Sequence, residues 1–392
     1  MSLLSLSSCF YINIPISTTQ TSPLLHTVRA NTLAQGRKNI TGGFGRNYGE
    51  PQPQYHQQRI RNIKTRIRSR HEVVGKYSET DVVNDVVHEK ISSSNYKHSF
   101  LHDLYLFTRP YVPMGLILCV TSVSTLALSS WTQVSPAFLW EVFKAVVPVV
   151  LMSIYVSGIN QLYDVEIDKV NKPYLPLASG GISMKLGIVI TATCLITSLT
   201  WGMRYGSPAL MVIHLCAGIL GSLYSIELPY MRWKRNPFLV TICMVMTGAL
   251  ATPIFSFIHM QKYVLGKPIV LPSGLIFTSF FLFLFHIVMS LSKDISDVEG
   301  DKMHGIKSFS ITLGPERIFW MCVSILMAAY GGAMAIGASS PSLLNKIVSV
   351  LGHFSLASIL MYRTLRVNDM DNFYMFVWKL CYAEYLLVPF MR

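Results

Sequence analysis

Long apolar stretches, separated by short polar segments, make up most of the sequence after Pro110. Most of them are about 20 residues long, which is the length that an α-helix needs to cross the hydrocarbon core of a bilayer. The pattern predicts an all-α integral membrane protein with nine transmembrane helices. We expect these helices at residues 111–130, 138–162, 185–203, 208–226, 237–258, 271–292, 317–337, 343–363 and 373–391.

The composition supports the same class of protein. Hydrophobic residues account for 51% of the 392 residues and charged residues for only 14%, whereas charged residues make up about 25% of an ordinary soluble domain. Six of the seven cysteines lie inside the apolar stretches, and none forms a CxxC pair. We interpret these cysteines as small packing residues, and neither a disulfide framework nor a cysteine metal cluster is expected.

The first 70 residues differ from the rest of the chain. They contain ten Lys and Arg residues and a single acid, Glu50, and they are rich in Ser, Thr, Asn and Gln. This composition is typical of an organelle transit peptide; the alternative is a disordered basic arm that binds nucleic acid or anionic lipid. We expect residues 1–85 to be a plastid transit peptide and leader, with cleavage between Arg70 and Ser99 and no nucleic-acid partner. Residues 86–392 would form the membrane domain.

An acidic segment occurs twice in the chain. The sequence reads NQLYDVEIDK at Asn160–Lys169 and KDISDVEGDK at Lys293–Lys302, and the cores DVEIDK and DVEGDK agree at five of six positions. Each copy follows an even-numbered predicted helix, so both copies are expected on one side of the membrane. The loops on that side hold most of the basic residues, which predicts the cytosolic or stromal side.

The spacing of the acids predicts a shared chemical role. Asp164 and Asp168 are four residues apart, as are Asp297 and Asp301, and on a helix such pairs lie one above the other and repel. Mg²⁺ is bound by one or two carboxylates together with substrate phosphates. Two such pairs facing each other could hold Mg²⁺ ions, with Mn²⁺ as a substitute, and a diphosphate between them. The alternative is two solvated helix ends without a function.

Basic and phenolic side chains near the repeats are candidates for binding an anion. Tyr224, Arg232 and Lys234 lie in or beside the loop after the fourth helix, and Lys172 follows the first repeat. Lys and Arg side chains can clamp phosphoryl oxygens; the alternative is a positive-side anchor with an interfacial Trp. Arg109 precedes the first helix and either extends to the membrane interface or binds a second substrate.

The two acidic motifs resemble a known family. NxxxDxxxD and KDxxDxxGD are similar to the paired motifs of the UbiA-type intramembrane prenyltransferases. The longer segments NQLYDVEIDKVNKPYLPLASG, KDISDVEGDKMHGIKSFSITLG and FYMFVWKLCYAEYLLVPF resemble the plant plastid aromatic prenyltransferases. That group includes homogentisate phytyltransferases and their flavonoid and coumarin relatives. The resemblance extends from Phe107 to Arg392.

The resemblance implies a nine-helix bundle around a central cavity and assigns roles to residues. Mg²⁺ held by Asp164, Asp168, Asp297 and Asp301 would bind the diphosphate of an isoprenoid donor. The remaining substrate-binding positions implied are Asn160, Lys172, Tyr224, Arg232, Lys234 and Asp294. Arg109 matches the RPxxPxG start of the first helix, where family members place an arginine near the aromatic acceptor. Tyr155, Tyr163, Phe281 and Phe285 are expected to line the path of the allylic cation.

The expected activity is therefore an aromatic prenyl transfer in a plastid membrane. An allylic prenyl diphosphate would ionise, and a ring carbon of a plant phenolic, with a flavonoid or coumarin favoured, would attack the cation. The acidic motifs would face the stroma. One alternative is a homogentisate phytyl- or solanesyl-type transferase of tocopherol or plastoquinone synthesis. An alternative of another class is an ion-coupled transporter, which would place paired polar residues near the middle of the spans.

Overall fold

The computed structural model describes residues 99–204, 207–367, 370 and 372–391, and every regular element in these residues is a helix. The predicted leader, residues 1–85, lies outside the described residues and stays a prediction. The elements of the first half are α1 Phe100–Phe107, α2 Tyr111–Leu126, α3 Pro136–Tyr163, α4 Val165–Asn171, α5 Pro176–Ser179, α6 Met184–Arg204 and α7 Pro208–Ser225. Those of the second half are α8 Pro237–Val264, α9 Ser273–Ser292, α10 Val298–Met303, α11 Phe309–Leu313, α12 Pro315–Ala338, α13 Leu343–Val367 and α14 Phe373–Leu387.

Seven of these helices are long and apolar enough to cross a membrane, namely α3, α6, α7, α8, α9, α12 and α13. An eighth span is formed if α1 and α2, which are bent by 56° relative to each other, are counted together. Helix α14 has only 15 residues, or about 22 Å at 1.5 Å per residue, and a short 3₁₀ turn follows it. The all-α membrane fold is confirmed, whereas the predicted count of nine spans is not.

Helix α8 is longer than predicted because it contains two π-helical segments, Val245–Ala251 and His259–Val264. A π-turn accommodates an extra residue per turn and changes the direction of the side chains that follow. The first segment contains Gly248, where a Cβ atom would lie 1.9 Å from Nε2 of His286 on α9. Glycine is therefore required at this position for the close approach of α8 to α9.

A proline inside α3 shows how α3 and α6 are held together. Pro148 lacks a backbone N–H, so the carbonyl of Lys144 loses its partner within the helix. The indole Nε1–H of Trp201 donates to that carbonyl at 3.1 Å. The hydroxyl of Ser198 donates to the carbonyl of Pro148 itself at 2.8 Å. Trp201 of α6 thus supplies the hydrogen bond that the proline removes, and Ser198 adds a second contact between the two helices.

The largest core cluster of the described residues lies among α2, α3, α8, α9, α12, α13 and α14, and a polar group packs against it. His353 of α13 is fully buried, and its Nε2 lies 2.9 Å from Oε1 of Glu384 on α14, which is 2% exposed. Its Nδ1 lies 2.6 Å from the backbone carbonyl of Ser349. Both ring nitrogens therefore face oxygen atoms, and the imidazole links α13 to α14. The ring of Tyr330 on α12 packs against this pair.

The His353–Glu384 pair generates a prediction about stability. The substitution Glu384→Ala should lower the free energy of unfolding by about 3 kcal/mol, because it leaves a buried imidazole without its partner. The measurement is the thermal unfolding midpoint of the detergent-solubilised protein. Glu316→Ala, at an exposed position of α12, is the matched control and should leave the midpoint unchanged. Equal midpoints for both variants would contradict a stabilising role for the pair.

Candidate active site

The two acidic repeats lie against each other. Helix α4 carries the first repeat and α10 the second, and the ammonium group of Lys172, just after α4, forms an ion pair with Asp297. The carboxamide oxygen of Asn171 accepts a hydrogen bond from the backbone N–H of Gly300 at 3.0 Å. Both repeats are thus on the same side of the bundle, as the order of the predicted helices required.

Each repeat begins at a break in the helix, which corrects one expectation. The spacing predicted that Asp164 and Asp168 lie on one continuous helix, but Asp164 is the residue between α3 and α4. Asp297 likewise lies outside α9 and immediately precedes α10. An acidic residue is favourable at a helix N-terminus because of the helix dipole. The side chain of neither Asp caps the backbone, which leaves it available for other partners.

Asp164 is the most heavily paired acid of the site. It is 4% exposed, and its two oxygens lie 2.9 Å from Nη2 of Arg232 and 2.7 Å from Nζ of Lys234. The amide Nδ2 of Asn160, one turn earlier on α3, donates to the same carboxylate at 2.6 Å. Burial lowers the pKa of Lys234, and the adjacent Asp164 carboxylate opposes this effect.

Asp168 lies beside the start of the bent first span. Nη2 of Arg109, between α1 and α2, is 3.9 Å from its carboxylate. Burial raises the pKa of Asp168 to about 6, although Lys172 and Arg109 act in the opposite direction. The charged form of this carboxyl is therefore incompletely compensated by the protein, and an additional cation would stabilise it.

The second repeat is arranged in a similar way. Asp294 forms an ion pair with the neighbouring Lys293, and the hydroxyl of Tyr224 on α7 interacts with the same ammonium group. Burial raises the pKa of Asp294. Burial, together with the charges of Asp297 and Asp294, raises the pKa of Asp301 to about 6. Three acids compete here for few cations, so this half of the site also favours an added positive charge.

Two cationic residues of the site have a strained backbone conformation. Arg109 has φ 46° and Arg232 has φ 63°, and the only other non-glycine residue with positive φ among the described residues is Tyr230. Such a conformation is unfavourable for residues with a Cβ atom and occurs often at functional sites. At Arg232 it allows Nη1 to donate to the carbonyl of Ser225 at 2.5 Å while Nη2 reaches Asp164. The loop after α7 is thereby held against the first repeat.

The structure brings every predicted site residue into one network. These residues are Arg109, Asn160, Asp164, Asp168, Lys172, Tyr224, Arg232, Lys234, Asp294, Asp297 and Asp301. Sequence reasoning did not select Lys293 or Asn171 as site residues. For Lys293 the signal was its place as the first residue of the second motif. For Asn171 the signal was indirect. Gly300 is the one position at which the cores of the two repeats differ, and Gly300 is the residue that Asn171 contacts.

Three predicted contributors to the aromatic lining are placed elsewhere. Tyr163 is exposed, and Phe281 and Phe285 are enclosed in the core beside Tyr330. A separate group of rings, from α2 and α14, lies together near Arg109. The ring of Tyr111 lies 6.0 Å from that of Tyr374 and 5.6 Å from that of Trp378. Tyr111 also interacts electrostatically with Arg109.

A cavity of about 440 Å³ borders the first repeat on its outer side, where Glu166 and Glu227 contribute to the lining. Arg235 lines the same cavity and pairs with Glu227 at 2.6 Å, with both side chains 55% exposed. Arg235 is therefore more exposed than Arg232, the buried cation of the network that lines the same cavity. Glu166 pairs with Lys169 at the surface and is therefore solvated.

The donor set of the site suits magnesium bound together with phosphate. Its acids are all Asp, and carboxylate oxygens are the hard ligands that Mg²⁺ prefers. Among the residues that the structure describes, no group of three or more His, Cys, Asp or Glu side chains is arranged to hold a metal ion by itself. Mg²⁺ commonly takes one or two carboxylates and completes its coordination with substrate phosphates and water. The residues therefore fit such an ion, and their assignment as ligands stays a prediction.

Known proteins with similar sequences are prenyltransferases. A sequence profile of the UbiA prenyltransferase family matches residues 117–380. The chain is 44% identical over 312 residues to homogentisate phytyltransferase 1, chloroplastic, of Arabidopsis thaliana, covering 78% of this chain and 79% of that protein. It is 46% identical over 297 residues to coumarin 8-geranyltransferase 1, chloroplastic, of Citrus limon, covering 74% of this chain and 73% of that protein.

The fold also has a counterpart among solved structures. A UbiA homolog from Archaeoglobus fulgidus bound to GPP and Mg²⁺ superposes with a TM-score of 0.51 at 17% sequence identity, covering 73% of this chain and 99% of that chain. The predicted fold class is confirmed. The predicted enzyme class, a prenyltransferase and not an ion-coupled transporter, is confirmed by the family and the relatives. This chain belongs to the UbiA prenyltransferase family.

Proposed function

We propose that this protein transfers an isoprenoid group from an allylic diphosphate to a ring carbon of a phenolic acceptor, with Mg²⁺ bound between the diphosphate and the two acidic repeats. One observation carries the proposal. Five carboxylates and five cationic side chains from separate segments converge at the end of an apolar helical bundle. These residues are Asp164, Asp168, Asp294, Asp297 and Asp301 with Arg109, Lys172, Arg232, Lys234 and Lys293.

The balance of charge in this network suits a magnesium diphosphate. The five cations and five carboxylates balance in formal charge, although Asp168 and Asp301 are locally short of positive charge, so a ligand with a large net charge would be bound unfavourably. A diphosphate bound together with divalent ions has a small net charge. It nevertheless offers both anionic oxygens and metal cations as partners. The Lys and Arg side chains can then turn to the oxygens, and the carboxylates to the metal. The site would exchange partners without a large change in its total charge.

The proposed roles follow from the positions of the side chains. Asp164, Asp168, Asp297 and Asp301 would ligate the metal. Asn160 would keep the Asp164 carboxylate oriented, and Asp294 would support the second repeat through Lys293. Lys172, Tyr224, Arg232 and Lys234 would contact the diphosphate. Arg109, beside Tyr111, would contact the acceptor.

The chemistry is an electrophilic aromatic substitution. When bound, Mg²⁺ would offset the negative charge that develops on the departing diphosphate. Arg232 and Lys234 would turn from Asp164 to the diphosphate oxygens and stabilise their negative charge in the bound donor and as it departs. The carbon–oxygen bond of the donor would break to release diphosphate, a ring carbon of the acceptor would form a carbon–carbon bond with the allylic cation, and the released diphosphate would take up the ring proton as aromaticity is restored. The aromatic faces of Tyr111 and Trp378 would stabilise the allylic cation, and the apolar bundle would exclude water.

The relatives support a phenolic acceptor, but they are named for different acceptors and different prenyl donors. One is named for homogentisate and a phytyl group, the other for a coumarin and a geranyl group. The identities of 46% to the coumarin enzyme and 44% to the homogentisate enzyme do not separate the two acceptor classes, and we propose a flavonoid or coumarin with a short donor as the pair to test first. A homogentisate phytyl- or solanesyl-type activity is the alternative within the family. The chloroplastic names of both relatives and the basic leader support a plastid membrane, with the repeats facing the stroma.

The acceptor proposal is tested with membranes that contain the protein. Dimethylallyl, geranyl and phytyl diphosphates should be combined in turn with a flavanone, a hydroxycoumarin and homogentisate in the presence of Mg²⁺. We expect a prenylated flavonoid or coumarin with a short donor, detected by mass spectrometry. Product with homogentisate alone would replace the favoured acceptor, and no product with any pair would contradict the proposed reaction.

The acidic repeats should be required for turnover. Asp164→Asn or Asp297→Asn should lower kcat/KM by at least about 100-fold, because each removes a negative ligand of the metal. Chelation of Mg²⁺ with EDTA should abolish activity, and added Mg²⁺ should restore it. Glu166→Gln, at an exposed acid of the same segment, should retain wild-type kinetics. Full activity of the Asp variants, or activity in excess EDTA, would rule out the proposed metal site.

Lys234 should act chiefly on the donor diphosphate. The substitution Lys234→Met should raise KM for the donor by about 10-fold or more, since a buried charge-assisted contact is lost, and should change KM for the phenol little. It should also lower the unfolding midpoint in the absence of Mg²⁺, because Asp164 loses a counter-ion. Mg²⁺ with inorganic pyrophosphate should reduce that difference. Lys169→Met is the exposed control, and identical donor KM values for the two variants would argue against the assigned role.

A further inference from the structure

Two different contacts join the acidic repeats to each other. One is ionic, between Lys172 and Asp297. The other is neutral and belongs to Asn171, the last residue of α4, which reaches across to α10. The two contacts come from adjacent residues, but they respond differently to charge. The difference determines which of them survives when the site binds a metal and a diphosphate.

The side chain of Asn171 uses both ends of its carboxamide on the second repeat. Its oxygen accepts from the backbone N–H of Gly300 at 3.0 Å, and its Nδ2 donates toward Oδ1 of Asp301 at 3.5 Å. One contact fixes the backbone of α10 relative to α4, and the other fixes the orientation of the Asp301 carboxylate. A carboxylate has about four lone-pair positions, so this hydrogen bond leaves most of Asp301 available to other ligands.

Gly300 is required by this contact and not by its backbone conformation. It lies inside α10 without a positive φ, and glycine at such a helical position is unfavourable by about 1 kcal/mol relative to alanine. A Cβ atom here would lie 2.2 Å from the oxygen of Asn171. The first repeat has Ile167 at the equivalent position, and Ile167 is buried in the protein. The sequences of the two repeats thus differ at the residue that Asn171 contacts.

The ionic contact cannot persist through metal binding. A divalent cation on Asp297 competes directly with the ammonium of Lys172, and the anionic diphosphate attracts that ammonium away. The contact of Asn171 with a backbone N–H carries no net charge and does not compete with a metal. Among these two contacts, only the neutral one is able to keep α4 and α10 in register while the ligands of Asp297 change.

We infer that Asn171 is a positioning residue for the second metal-binding repeat, which holds Gly300 and Asp301 in register with the first repeat. This inference rests on the proposed function. Asn171 acts through Asp301 and touches neither the substrate nor the reacting atoms. Hydrogen-bonding partners of metal ligands typically contribute about 10-fold or more to metal affinity. The magnesium requirement is therefore the quantity that should change.

The test uses Asn171→Ala and Gly300→Ala in the full-length, detergent-solubilised protein. The first readout is the Mg²⁺ concentration that gives half-maximal activity, measured with saturating substrates. The second does not require turnover and is the Mg²⁺ dependence of thermal protection by inorganic pyrophosphate. We expect both substitutions to raise the required Mg²⁺ concentration about 10-fold in both readouts, with kcat at saturating Mg²⁺ reduced far less.

Two further variants separate positioning from general stability. The double variant Asn171→Ala with Gly300→Ala should need no more Mg²⁺ than either single variant, because both remove the same contact. Glu299→Gln, next to Gly300 and exposed to solvent, is the matched control and should behave as wild type. If Asn171→Ala fails to fold, Gly300→Ala alone carries the test.

The outcomes distinguish this inference from the proposed function. An unchanged magnesium requirement in Asn171→Ala and Gly300→Ala overturns the positioning role while the wild type remains an Mg²⁺-dependent enzyme. A lower unfolding midpoint without a changed magnesium requirement overturns it as well, since a purely structural role would give that result. A wild type that shows neither turnover nor protection by Mg²⁺ and pyrophosphate would instead refute the proposed function.

Discussion

A carboxylate buried at the edge of a membrane is unfavourable unless cations or hydrogen-bond donors lie beside it. In this protein the partners of each acidic repeat come from segments that are distant in the chain. Asp164 depends on Arg232 and Lys234 of the loop after α7, and Asp297 depends on Lys172 of the opposite repeat. The ends of α3, α7 and α9 must therefore meet at one surface. This requirement links the arrangement of the helices to the composition of the site.

The same requirement allows the site to exchange its ion pairs for contacts with a charged ligand. Ion pairs between side chains are replaced when a ligand supplies stronger charges of both signs, whereas hydrogen bonds to the backbone are not. Lys172 and Lys234 belong to the first kind of contact and Asn171 to the second. A site of this design can change its ionic partners while its two halves remain in place. The strained backbone conformation of Arg232 is stabilised by both kinds of contact, because its guanidinium group binds a backbone carbonyl and a carboxylate that belong to different elements.

Within the bundle, polar side chains serve packing. Between helices in lipid the hydrophobic effect contributes little, so close approach and hydrogen bonds determine how helices associate. Trp201 replaces the hydrogen bond lost at Pro148, Gly248 admits the ring of His286, and His353 pairs with Glu384. These contacts lie away from the repeats and involve pairs of neighbouring helices. They give the scaffold the rigidity on which the geometry of the site depends.

The sequence by itself determined the class of fold and the position of most spans, and it selected residues that the structure brings together at the candidate site. Runs of apolar residues long enough for a bilayer permit few alternatives, and the repeated DVExDK segment marks acids that have no structural reason to recur. The tertiary structure decided the breaks at Asp164 and Asp297, the cation assigned to each acid, and the contact of Asn171 with Gly300. It also placed Phe281 and Phe285 in the core and brought the Tyr111 ring, near Arg109, against the rings of Tyr374 and Trp378. Periodicity describes which face of a helix is apolar, but the partner of a buried charge depends on how separate helices pack.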